Sequence, residues 1–310
     1  MDFNGVLETL DRQSGEFPFL SFGDNLPSQL EIRRLLSLIF YLLFSPFFSD
    51  ECLPPNRRKG INKAAKIRPT DRRRIIKEIR KILIAQITLA TNYVREKNAR
   101  EREGGERTFF GLSTDRSLHR EISDVCDAII SELPSIRLSL LRDATAIFDG
   151  DPAASSVAEV ILAYPGFRAI MIYRISHCLF LRRIPIIPRL MTEHAHRETG
   201  IDIHPGAKIG EYFSIDHGTG VVIGETAEIG ERVRIYQGVT LGAKSINSRD
   251  GGSPTKNKKR HPTIGNGCII YAGATILGGD TVIGDGSVIG GNVWLTKSTP
   301  PGSRVYYNGG

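Results

Sequence analysis

The chain has 310 residues, 40% of them apolar and 24% charged, with a formal net charge of +7. These values describe a folded, soluble chain with room for one large or two ordinary domains, and they exclude disorder along the whole length. The four cysteines, Cys52, Cys126, Cys178 and Cys268, stand far apart with no CxxC pair. Neither a disulfide framework nor a zinc knuckle is expected, and a reducing, cytoplasmic setting is.

Met1 is followed by Asp2 and a polar stretch, with no basic segment leading into an apolar one, so no secretory signal is expected. The longest apolar run, residues 35–48, is interrupted by Ser37, Ser45 and Pro46 and falls short of the roughly 20 residues that span a membrane. It predicts a buried helix, and no membrane partner. Positive charge gathers at residues 57–81 and 256–260. In the first stretch Ile75, Ile79, Ile82, Leu83, Ile87, Ala90 and Val94 recur at helical spacing, which makes the Lys and Arg the solvated face of a helix. Nucleic-acid binding is not expected. Helical stripes such as Ile122, Val125, Cys126, Ile129, Ile130 and Leu133 continue to residue 197, with breaks expected at Pro134, Pro152, Pro165, Pro185 and Pro188 and an exposed loop over 97–117. Residues 1–198 are therefore expected to form an all-helical domain.

After Gly200 the period changes to six. Ile203, Ile209, Ile215 and Val221 form one series; Ile223, Ile229, Ile235 and Leu241 a second, shifted by two; Ile264, Ile270, Ile276, Val282, Val288 and Trp294 a third. Small residues recur between them. Such a repeat predicts a parallel β-helix over 199–310, in which each aliphatic residue enters a narrow core and small residues allow the corners. The fold class is α+β, helices first and β-helix second. From Leu241 to Ile264 is 23 residues where six would keep the frame, so residues 243–260 must leave the prism as an inserted loop, a candidate lid ending on Arg260 and His261.

Of seven histidines, His204, His217 and His261 fall in the β-helix. His217 lies in Asp216-His217-Gly218-Thr219-Gly220, a glycine-rich corner where another molecule can approach closely. Asp202 precedes it by 15 residues, near the roughly 18 of three hexads that would set two positions on adjacent coils. A carboxylate there would fix the imidazole tautomer and leave the other nitrogen basic. Some hexapeptide-repeat proteins resembling carbonic anhydrase hold zinc through histidines about five residues apart. No such pair occurs in this β-helix, and no metal is expected.

Taken in order, residues 200–205 (Gly-Ile-Asp-Ile-His-Pro), 216–220, Gly224-Glu225-Thr226 and Arg260-His261-Pro262 resemble the signature of serine O-acetyltransferases, which begin cysteine biosynthesis. The resemblance runs over residues 143–295 and includes Gly150-Asp151-Pro152-Ala153 and residues 173–177. It implies a left-handed β-helix that trimerises, with sites between neighbouring subunits, and a helical domain that pairs trimers into hexamers and contributes Asp151. It casts His217 as general base, oriented by Asp202. Asp151 and Asp216 would hold the ammonium of L-serine, Arg260 its carboxylate, and His261 would complete the pocket. Acetyl-CoA, the implied co-substrate, would meet Ala243, Ala272, Ala274 and Gly290 through backbone, with Lys256, Lys258 and Lys259 near its phosphates. Direct transfer without an acyl-enzyme is implied, which leaves Cys268 as a packing residue.

Two departures stand out. The loop before Arg260 is longer than the family's. The sequence closes on Tyr306-Tyr307-Asn308-Gly309-Gly310 without a tail ending in isoleucine, so no tail-mediated complex with O-acetylserine sulfhydrylase is expected. Cysteine, which resembles serine, is expected to compete at the same site. Rival readings are an acyltransferase for homoserine or a sugar, and a non-catalytic β-helix that only assembles.

Overall fold

The computed structural model describes residues 26–45, 47, 69–100, 115–244 and 258–307. Among the described residues six helices precede the strands: α1 (Gln29–Phe44), α2 (Pro69–Arg100), α3 (Asp115–Gly150), α4 (Val157–Ala163), α5 (Pro165–Leu181) and α6 (Ile187–Thr199). The apolar run forms α1, whose Leu35, Leu36, Ile39 and Phe40 are buried, and Ser28 caps it by accepting from the Glu31 N–H at 3.3 Å. On α2 all seven residues of the aliphatic stripe, from Ile75 to Val94, are buried, leaving the cations outward as expected. Pro134 does not end a helix. It lies inside α3, 36 residues long, where burial of Ile129, Leu133 and Leu140 outweighs the one backbone hydrogen bond that proline removes. Most of the expected loop over 97–117 lies outside the described residues. None of the described helices is long and apolar enough to cross a membrane.

Gly200 ends α6 at φ 72° and turns the chain into the first strand. Among the described residues fourteen short strands follow, from β1 (Asp202–Ile203) to β14 (Arg304–Val305), all paired in parallel on three faces. One face stacks β1 (Asp202–Ile203), β4 (Val222–Ile223), β7 (Thr240–Gly242), β10 (Thr275–Leu277) and β13 (Trp294–Leu295). A second stacks β2 (Lys208–Ile209), β5 (Glu228–Ile229), β8 (Thr263–Ile264) and β11 (Val282–Ile283). The third stacks β3 (Ser214–Ile215), β6 (Arg234–Ile235), β9 (Ile269–Ile270), β12 (Val288–Ile289) and β14.

The core has two rows. Ile203, Ile215, Ile223, Ile235, Leu241, Ile264, Ile270 and Ile276 are buried, and so, two residues before most of them, are Ile201, Phe213, Val221, Val233, Val239, Cys268 and Ala274. Cys268 is thus a packed residue, and burial pushes its thiol pKa up. The third hexad series holds only to Ile276. Beyond it the frame slips by one at Gly278 (φ 105°) and Gly279, so Ile283 and Ile289 are buried while Val282 and Trp294 are exposed. Coil length also varies: Asp202 pairs with Val222, 20 residues on, whereas Val222 pairs with Thr240, 18 on. The corner at 216–220 takes up the two extra residues.

The helices are keyed to the first coil. Asp143 on α3, fully buried, accepts from Arg174 Nη2 of α5 at 2.8 Å and from the Phe213 N–H at 3.0 Å, while Arg174 also donates to the Gly210 carbonyl at 2.8 Å. Tyr173 donates to the Ala207 carbonyl at 2.6 Å. At Gly166 a Cβ would stand 2.2 Å from the Ile215 carbonyl oxygen, so only glycine permits that approach of α5 to β3.

Candidate active site

The corner after β3 is where the hexad frame stretches by two residues. His217 adopts φ 55°, in the left-handed region that non-glycine residues enter at a cost of about 1 kcal/mol, and Gly218 and Gly220 follow at φ 90° and 83°. Asp216 Oδ1 accepts the His217 N–H at 2.8 Å and lies 3.9 Å from Nε2. The His217 side chain is 73% exposed. The corner therefore holds the backbone firmly and presents the imidazole outward.

Asp151 reaches the same corner from the end of α3. Its Oδ2 accepts from the Tyr164 hydroxyl at 2.6 Å and its Oδ1 from the Ala153 N–H at 2.9 Å, and these two donors, with His217 adding a smaller share, hold the carboxyl below the usual range. The Tyr164 phenol is pushed up to about 12, first by its bond to Asp151 and then by partial desolvation, with Glu159 and Asp216 adding to it. It stays a neutral donor. Arg234 of β6 donates to the Gly150 carbonyl at 3.1 Å, and its guanidinium occupies the space that a Cβ at Gly150 would need. Among the described residues, neither Asp151 nor Asp216 has a Lys or Arg partner.

A second neighbourhood forms across the first face, at the corner after β4. Arg260 Nη2 is paired with Glu225. The Thr226 hydroxyl accepts from the backbone N–H of Arg260 at 2.9 Å and of His261 at 3.1 Å, tying the end of the inserted segment to the prism. His261 Nδ1 accepts the Thr226 N–H at 3.0 Å, which assigns the proton of the neutral ring to Nε2. His261 is only 8% exposed, and burial, then the Arg260 charge, lowers its pKa to about 4. Its ring lies on Gly224, where a Cβ would stand 2.0 Å from Cδ2.

Asp202 lies on β1, in the face that both corners border. Its Oδ1 lies 3.5 Å from Arg189 Nη1, and it joins Glu193 and His196 in a group whose donor atoms lie within 4.8 Å of one another. Arg189 also pairs with Glu193, so a guanidinium already answers both carboxylates. The 15-residue offset thus leaves Asp202 and His217 on one coil, not adjacent ones, and no hydrogen bond joins them among the described residues of the single chain. His204 packs its ring edge on Phe180, accepts the Gly206 N–H at 3.0 Å and is kept neutral by burial.

The residues expected to meet the co-substrate lie on later coils. Ala243 and Ala272 are half-buried, and the Ala272 carbonyl accepts from the Asn292 N–H at 2.9 Å. Ala274 is a core residue whose carbonyl accepts from the Thr240 N–H at 2.9 Å. Gly290 is buried under the Tyr306 ring. Lys259 pairs with Glu228 at 3.2 Å, and Lys256 lies outside the described residues. Tyr164, Glu159 and Arg234 went unnoticed in the sequence. Glu225 and Thr226 stood in a quoted motif, but without a role.

Three kinds of comparison bear on this arrangement. The model for the N-terminal region of serine acetyltransferase matches residues 111–171. A plasmid serine acetyltransferase of Synechococcus elongatus is 52% identical over 193 residues, covering 62% of this chain and 60% of that protein. The serine acetyltransferase of Helicobacter pylori is 48% identical over 139 residues, covering 45% of this chain and 76% of that protein. The chain spans only part of several of these relatives: 60% and 53% of two Synechococcus elongatus proteins. Among solved structures, serine acetyltransferase 1 of Entamoeba histolytica in complex with L-cysteine has a TM-score of 0.66 at 34% identity, covering 88% of this chain and 86% of that one. The soybean enzyme complexed with serine gives 0.52 at 34%, covering 64% and 77%. The likeness takes in the helices and the left-handed β-helix together, and the chain belongs to the serine acetyltransferase family.

Proposed function

We propose that the protein transfers acetyl from acetyl-CoA to the hydroxyl of L-serine, giving O-acetyl-L-serine and CoA. The observation that carries this reading is the corner at 216–220, where an outward imidazole stands beside two carboxylates that have no Lys or Arg partner among the described residues. A serine ammonium supplies the positive charge that Asp151 and Asp216 lack, and a sugar acceptor would not. His217 takes the hydroxyl proton as the serine oxygen attacks the thioester carbonyl. The tetrahedral intermediate then releases the CoA thiolate, which recovers that proton. Arg260 pairs with the substrate carboxylate in exchange for Glu225, and neutral His261 closes the pocket with Nε2–H as donor. That relatives have been solved in complex with serine and with L-cysteine supports an amino acid as ligand, and cysteine, which resembles serine, should compete with it.

The active unit is a trimer, with the helical domain free to pair two of them. In one chain the acidic corner and the Arg260 corner lie on opposite edges of one prism face, and among the described residues no bond joins Asp202 to His217. Threefold packing sets one chain's His217 against the next chain's Asp202, Arg260 and His261, so each site draws on two chains. Acetyl-CoA lies along the later coils past Ala243, Ala272, Ala274 and Gly290. The test is thiol release from acetyl-CoA with L-serine, L-homoserine or a sugar as acceptor. Serine should be preferred, and His217→Ala should lower its rate by about a hundred- to ten-thousandfold. Release with another acceptor would refute the serine assignment, and no release at all would leave a binding role.

A further inference from the structure

Asp151 sits in a turn beyond α3 on a short side chain whose carboxyl rotation is intrinsically broad. Two donors remove that freedom. Ala153 supplies a backbone N–H at 2.9 Å to one oxygen and Tyr164 a phenol at 2.6 Å to the other, which leaves each oxygen able to accept once more. Tyr164 is itself fixed. Its N–H bonds the Val160 carbonyl at 3.2 Å, its φ is −82°, and Pro165 follows at the first position of α5. Arg234 clamps the neighbouring Gly150. The charged groups around Asp151 are His217, Glu159 and, through Tyr164, Asp216.

We infer that Tyr164 is a positioning residue, which by locking Asp151 in one orientation sets the preference for an acceptor bearing an ammonium group. The inference rests on the serine reading above. A phenol suits the task because it donates one hydrogen bond without bringing a positive charge that would rival the substrate's.

The experiment compares the full-length protein with Tyr164→Phe, using L-serine and 3-hydroxypropionate, which keeps the hydroxyl and carboxylate but has no ammonium. For the variant the serine KM should rise by about three- to tenfold, the worth of one hydrogen bond to an exposed carboxylate, with kcat and the acetyl-CoA KM nearly unchanged. The preference for serine over 3-hydroxypropionate should fall by the same factor. In an Asp151→Asn background, adding Tyr164→Phe should change the preference no further, an effect that a general loss of fold would not give. An unchanged serine KM and an unchanged preference in an otherwise active enzyme would overturn the role of Tyr164 alone. A native protein that turns over no serine would overturn both readings.

Discussion

The two histidine corners of this β-helix are built in opposite ways. At the His217 corner the backbone is strained and hydrogen-bonded while the imidazole is left in solvent. At the His261 corner the imidazole is buried on Gly224 and bonded to Thr226, and burial keeps it neutral. The contrast teaches that one repeat scaffold can bury and fix one imidazole while leaving another open to an approaching molecule. A corner two residues longer than the hexad displays a side chain; a corner of regular length lined by glycine receives one.

The strongest way to break this comparison is to split the site between chains. His217→Ala and Arg260→Ala proteins should each be nearly inactive, yet random mixed trimers should recover about a quarter of native serine-dependent release, because one chain then supplies the base and its neighbour the arginine. Mixtures that stay dead would place both corners of a site in one chain. Next in size is Gly224→Ala, which puts a methyl 2.0 Å from His261 Cδ2. The ring must move, with a loss of about 1–3 kcal/mol in urea unfolding and a rise in the serine KM that spares acetyl-CoA. A silent substitution would mean that His261 is not wedged. The smallest effect is on acid stability. The unfolded chain protonates this histidine near its ordinary pKa of 6.5, but the folded chain only near 4, so unfolding takes up protons between those values and stability falls with pH across that window. His177 and His204 are lowered too, so His261→Gln should shallow the slope of the thermal midpoint against pH without abolishing it.

Much of this architecture was legible because an aliphatic residue every sixth position has one physical use, a narrow prism. The reading failed where the pattern carried no choice. Val282-Ile283, Val288-Ile289 and Trp294-Leu295 are apolar at both positions of each pair, so periodicity could not report the one-residue slip at Gly278 and Gly279. Pro134 was misjudged for a similar reason, since the composition near a proline does not tell how much burial the surrounding turns gain. Asp202, His217, Asp151 and Arg260 could be named from motifs, but their division between two corners depends on where coils stack. Tyr164 was out of reach, because its partner is 13 residues away across a turn and a short helix and no periodicity links them.

Among the described residues, the helices grip the prism at one end. Asp143, Arg174, Tyr173 and Gly166 all engage the first coil, and Arg234 ties the second to Gly150. Every later coil rests on the coil beneath it. In a linear array of this kind order spreads from the anchored end, and each added layer inherits whatever register the previous one adopted. The prism is therefore a column with a foundation, and on its last described coils Trp294, Tyr306 and Tyr307 are exposed. Heat should loosen it downward from the top, and the His217 corner, in the course nearest the foundation, should be the last to lose its shape.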